Sequence, residues 1–79
     1  MTINVKYFAI LREQRGLDEE SITTMVSSVS ELYSELRAQF GFTLDPQFVR
    51  TAVNGDFVDD DHLLTDNDEV VYIPPVAGG

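Results

Sequence analysis

The stretch Ile3-Asn4-Val5-Lys6-Tyr7-Phe8 alternates with the period of two that marks a half-buried strand. Ile3, Val5 and Tyr7 share one face, the expected core side. Asn4, Lys6 and Phe8 share the other. Ala9 to Gln14 reads as a short helical turn that stops at Gly16. Glu20 to Val26 is rich in β-branched residues and predicts a second strand pairing with the first. The pattern then changes period. Val29, Leu32, Tyr33, Leu36 and Phe40 fall at i, i+3, i+4, i+7 and i+11, one apolar stripe of a helix. Ser28-Val29-Ser30-Glu31 forms a capping box at its start, and Gly41 is a natural stop. Packing against a sheet accounts for the stripe more readily than a partner-binding helix does.

The second half returns to strands. Phe42 to Phe48 reads as a loop around Asp45-Pro46. Thr51-Ala52-Val53 and Phe57-Val58 flank Asn54-Gly55, a strong two-residue hairpin signal. Asp59-Asp60-Asp61 reads as a solvated run, Leu63 and Leu64 as a cover over one end of the core, and Asp66-Asn67-Asp68 as a turn. Glu69 to Ile73 is the last strand. Strands on both sides of one central helix predict an α+β domain. One main helix packs on one face of a mixed sheet of about four to five strands. The first and last strands would be parallel neighbours in its centre, with the helix in the right-handed crossover between them. This is the β-grasp, or ubiquitin-like, arrangement. The expected organisation is one folded domain over residues 1–73 and an extended tail over 74–79.

That tail carries the chemistry. Pro74 and Pro75 fix φ and donate no backbone N–H, so the ladder of the last strand cannot continue. Val76, Ala77, Gly78 and Gly79 complete an arm able to span about 20 Å at full extension. Two final glycines add no packing and lose the most freedom on ordering. They could be idle terminal residues. They also form a thin, unbranched thread that exposes a terminal carbonyl to a nucleophile inside another protein's active site.

Composition narrows the partners. Seventy-nine residues build one domain with a small core and little room for a deep pocket. There are no cysteines, which excludes thiol catalysis and Cys-based zinc sites and fits a reducing compartment. No apolar run approaches a membrane span and no signal peptide opens the chain, so a cytoplasmic location is expected. A net charge of −9 argues against nucleic acid as a partner and for proteins with basic surfaces, or simply for solubility. The lone His62 beside Asp59, Asp60 and Asp61 could be imagined as a metal ligand or base. Adjacent aspartates cannot all point one way, so a surface histidine in an acidic turn is the better reading. No nucleophile elbow, P-loop or dinucleotide fingerprint is present. By alternation, Phe8 and Ile73 face away from the core, with Val71 and Phe57 near them. An apolar patch on an open sheet face points to a protein interface.

Several segments resemble the small-subunit family of molybdopterin synthase, ubiquitin-like sulfur carriers. They are Tyr7-Phe8-Ala9-Ile10-Leu11-Arg12-Glu13, Ala52-Val53-Asn54-Gly55, Asp61 to Val70, and Pro74-Pro75-Val76-Ala77-Gly78-Gly79. The resemblance runs from end to end. Asn67 stands where the family commonly has Gly, and Asn is the non-glycine residue that best tolerates left-handed geometry. The resemblance implies that Gly79 is adenylated by an ATP-using activating enzyme and converted to a thiocarboxylate. The tail from Pro74 to Gly79 then enters the large synthase subunit and gives sulfur to a cyclic pterin monophosphate. It further implies a heterotetramer of two small and two large subunits. Phe8, Phe57 and Ile73 would be contact positions, and the chain itself would bind no cofactor or metal. Three alternatives stay open at this point. One is a carrier for thiamin or tRNA thiolation, one a ubiquitin-like protein modifier, and one a plain interaction domain with incidental glycines.

Overall fold

The computed structural model describes residues 1–75. Its elements are β1 (Thr2–Tyr7), α1 (Ala9–Arg15), β2 (Glu19–Thr23), α2 (Val29–Phe40), a 3₁₀ turn (Pro46–Phe48), β3 (Arg50–Val53), β4 (Asp56–Val58) and β5 (Glu69–Ile73). The five strands form one sheet in the order β2-β1-β5-β3-β4. β1 and β5 run parallel at its centre, and the other neighbours are antiparallel. The fold is the β-grasp.

Alternation decides which side each strand buries. Ile3, Val5 and Tyr7 of β1 and Val70 and Tyr72 of β5 are all buried against Val29, Leu32, Tyr33 and Leu36 of α2. Burial at about 25 cal/mol per Å2 of apolar surface is the main term holding helix to sheet. The helix ends are closed by side chains. Ser28 Oγ accepts from the Glu31 N–H at 3.2 Å and donates to the Glu31 carboxylate at 3.1 Å. Glu31 thus reaches back to the hydroxyl of the cap. Gly41 turns left-handed at φ 74° and donates to the Arg37 carbonyl.

One expectation needs correction, and one loop residue joins the core. Phe42 lies in the loop after α2, as expected, and is only 3% exposed. The turn at Gly41 folds the chain back under the sheet-facing side of α2. The Phe42 ring then meets Tyr7 edge-on at 5.7 Å and stacks near Tyr33 at 6.0 Å. Leu63 and Leu64 do not both cover the core. Leu64 is buried, while Leu63 is 68% exposed. Leu63 bridges Ser28 in a short antiparallel pairing, and extended neighbours point to opposite sides.

Turn chemistry follows the residues. Asn54 and Gly55 both have positive φ, 51° and 91°, as a tight hairpin between β3 and β4 requires. Asn67 takes φ 70°, the left-handed geometry that Asn tolerates.

Candidate docking face and the base of the tail

Register places the candidate residues. In β5, Tyr72 pairs with Tyr7, so Ile73 stands beside Phe8 at the next step of the parallel ladder. Ile73 also pairs with Arg50 of β3. One row below, Val71 pairs with Lys6 on one side and Ala52 on the other, and Ala52 pairs with Phe57. Directly paired residues point to the same side of a sheet. Phe8, Ile73, Val71 and Phe57 therefore share the face that α2 does not cover. Phe8 is 48% and Phe57 61% exposed, and Ile73 is partly exposed. Ala52, between Phe57 and Val71 in the pairing, is buried.

Charge divides this face. Lys6 Nζ lies 3.6 Å from Glu69 and 4.0 Å from Glu19, which makes the β1–β2 end polar. At the opposite end the Arg50 guanidinium carbon lies 4.2 Å from the centroid of the Phe57 ring. The apolar residues run between these two ends. Reasoning from sequence identified Phe8, Phe57 and Ile73 but passed over Arg50. Alternation through Arg50, Ala52 and the paired Phe57 is the signal that could have found it.

The strand that leads to the tail is braced at both ends. At its start, Asp68 accepts from the Thr65 N–H at 2.8 Å, the Thr65 hydroxyl at 2.9 Å and the Asn54 amide at 2.9 Å. Asn54 Oδ1 in turn accepts from the Glu69 N–H. Burial opposes ionisation of Asp68. The donors from Thr65 and Asn54 outweigh it and hold the carboxyl below its ordinary range. Near the end of the strand, the Tyr72 hydroxyl donates to the Val29 carbonyl at 2.7 Å. Burial pushes the Tyr72 phenol well above its usual value, so it stays a donor. Pro74 is buried and Pro75 exposed at the end of the described chain. Val76, Ala77, Gly78 and Gly79 lie outside the described residues.

A second network secures β1 near Phe8. Arg15 grips Glu20 in a two-pronged pair at 2.6 and 2.9 Å, and the Tyr7 hydroxyl donates to the same carboxylate at 2.9 Å. Hydrogen bonding from Arg15 lowers the Glu20 pKa, and burial followed by Glu20 raises that of Tyr7. Ala9 follows Phe8 with φ 50°, a left-handed value unusual for alanine. That twist starts α1 and turns the chain off the end of β1. His62 is partly exposed and its N–H donates to the Asp59 carbonyl. Among the described residues no three His, Asp or Glu side chains gather as metal ligands, and no helix is long and apolar enough to cross a membrane.

A family model described as the ThiS family matches residues 5–79. The chain belongs to the ThiS family. This ThiS-family chain is 38% identical to the molybdopterin synthase sulfur carrier subunit of Escherichia coli (strain K12), over 98% of this chain and 99% of that one. A solved Pyrococcus furiosus structure, a candidate molybdopterin converting factor subunit 1, superposes with a TM-score of 0.79 at 35% identity. It covers 95% of this chain and 98% of its own. The fold is also that of a chain in the complex of subunits 1 and 2 of the Helicobacter pylori molybdopterin-converting factor. There the TM-score is 0.68 and identity 24%, with full coverage of both chains.

Proposed function

We propose that this chain is the sulfur carrier for molybdopterin formation, a covalent co-substrate with Gly79 as its reactive residue. The observation that carries the reading is the family match, which runs to Gly79 itself, together with end-to-end identity to a sulfur carrier subunit. The chemistry follows from the terminus. A carboxylate is a poor electrophile. Transfer of AMP from ATP, by a separate activating enzyme in the cytosol, turns one carboxylate oxygen into a leaving group. The outer sulfur of a persulfide on the donor enzyme attacks this carbonyl and expels AMP, giving an acyl disulfide. A second thiol of the donor enzyme then attacks the inner sulfur, so that a disulfide stays on that enzyme and a thiocarboxylate is left on Gly79.

The tail from Pro74 through Pro75, Val76, Ala77 and Gly78 to Gly79 then enters the large synthase subunit. There the thiocarboxylate passes sulfur to cyclic pyranopterin monophosphate to build the dithiolene. Catalytic groups belong to the large subunit, in an assembly of two small and two large chains. Phe8, Phe57 and Ile73 dock the body of the carrier. Apolar burial at the centre of an interface supplies most of the hold, and the prolines stiffen the base of the inserted thread. The chain itself holds no cofactor.

The test is the mass of the tryptic peptide Thr51 to Gly79 from cells making the cofactor. That peptide contains no Met, so methionine oxidation cannot mimic an oxygen-to-sulfur exchange. A shift mapped to Gly79 supports the carrier. An unmodified peptide together with a ladder of protein conjugates would instead favour a protein modifier. Deleting Gly79 is expected to abolish dithiolene formation while leaving the fold intact.

A further inference from the structure

The chain has 14 acidic and 5 basic side chains. In such an excess of carboxylates, most cations should find an internal partner. Lys6 lies between Glu19 and Glu69, Arg12 pairs with Asp18, and Arg15 grips Glu20. Arg37 donates through Nε to the Phe42 carbonyl. Arg50 differs. Among the described residues it has no carboxylate within ion-pair distance, although Asp59, Asp60 and Asp61 line the same cleft. Its guanidinium rests on the Phe57 ring instead, and its side chain is exposed.

That placement has two physical consequences. Stacking on a ring restricts a long side chain before any partner arrives, so less freedom is lost on binding. It also leaves the guanidinium edge, with its fork of N–H donors, open to the outside. Arg50 pairs with Ile73, the last residue before the two prolines, so it marks where the tail leaves the sheet.

We infer that Arg50 orients docking by taking one carboxylate of the partner protein, an Asp or Glu set among apolar side chains. This rests on the docking role proposed for the open face. A single carboxylate matches one guanidinium bidentately. A phosphate group would bring a second negative charge beside the Asp59–Asp61 run, which repels it more strongly than it repels a single carboxylate. The partner surface is thus bipartite. It is acidic where it meets Arg50, apolar over Phe8, Ile73 and Phe57, and basic toward Glu19 and Glu69 and toward the Asp59–Asp61 run. An ion pair inside an apolar rim fixes register more than it adds affinity, and register here decides where the thread enters.

The experiment is calorimetric titration of the full chain into the purified larger synthase subunit at low and high salt. Variants are Arg50→Glu, Arg50→Lys, Phe57→Asp and, as a charge control away from the face, Arg12→Glu. Arg50→Glu is expected to weaken binding about a hundredfold or more, and Arg50→Lys about tenfold. Arg12→Glu is expected to stay within about twofold, as a screened rim charge does. Changing the facing partner carboxylate to Arg should restore binding to Arg50→Glu. If Phe57→Asp abolishes binding while Arg50→Glu leaves it unchanged, the docking face stands and the role of Arg50 is overturned. If Arg50→Glu slows adenylation without weakening binding, or no acidic residue of the partner gives rescue, it is overturned too. If neither Phe57→Asp nor Arg50→Glu changes affinity, the docking face itself is wrong.

Discussion

The two faces of the sheet are built from the same strands by the same alternation, yet they obey different rules. On the α2 side, Ile3, Val5, Val70 and Tyr72 are at most 1% exposed. On the other side, Phe8 and Phe57 stay about half exposed or more, flanked by a clamped lysine and an arginine resting on a ring. The first face is complete within the chain and sets its stability. The second is left open and costs little to alter in the free chain; under the proposed docking role its cost appears in binding. A substitution should therefore register on one face in unfolding and on the other in binding.

The sharpest way to break this contrast is at Leu32, fully buried on α2. Leu32→Ala is expected to cost about 2–5 kcal/mol in chemical denaturation, a large share of the roughly 5–15 kcal/mol available to a small domain. Phe57→Ala on the open face should cost under about 1 kcal/mol, mainly the lost contact with Arg50. If the two variants were equally unstable, the division between faces would fail.

Asp68 tests the bracing of β5. Asp68→Asn is expected to cost about 1–3 kcal/mol at neutral pH by denaturant titration, because three donors lose a charged acceptor. In the folded chain this carboxyl sits below its ordinary value. Its contribution is thus present above the unfolded value, about 3.9. It is lost as pH falls through the folded value. The parent should weaken on acidification below about pH 5, and Asp68→Asn should show a shallower acid limb. Tyr72→Phe removes the hydroxyl that ties β5 to the start of α2 and should cost about 1 kcal/mol, read from thermal melts. The smallest effect is expected at Ala9. Ala9→Gly relieves a left-handed alanine but frees the unfolded chain, so thermal stability should hold or rise slightly.

The capped helix, the Asn54-Gly55 hairpin and the aromatic members of the open face were legible because each has a local cause, and the central parallel pair followed from the crossover rule. Periodicity gives the face, and turn residues give the reversals. Leu63 was misread, and the burial of the loop residue Phe42 was not read at all, because burial at both depends on where a turn sends the chain in space. Asp68 looked like one more turn residue, since its donors from Thr65 and Asn54 converge only in the folded sheet. Arg50 was overlooked for a related reason. Its meaning comes from what it fails to pair with, and that is visible only when the neighbours are in place.

The position of β5 has a mechanical consequence. It is hydrogen-bonded along both edges, to β1 over Asn4–Tyr7 and to β3 over Arg50–Val53. A pull on the C-terminal end acts along the strand, while those bonds lie across it. They must yield together, in shear, and cannot be unzipped one after another. A protein grasped by its end and drawn free can take that load at its strongest seam.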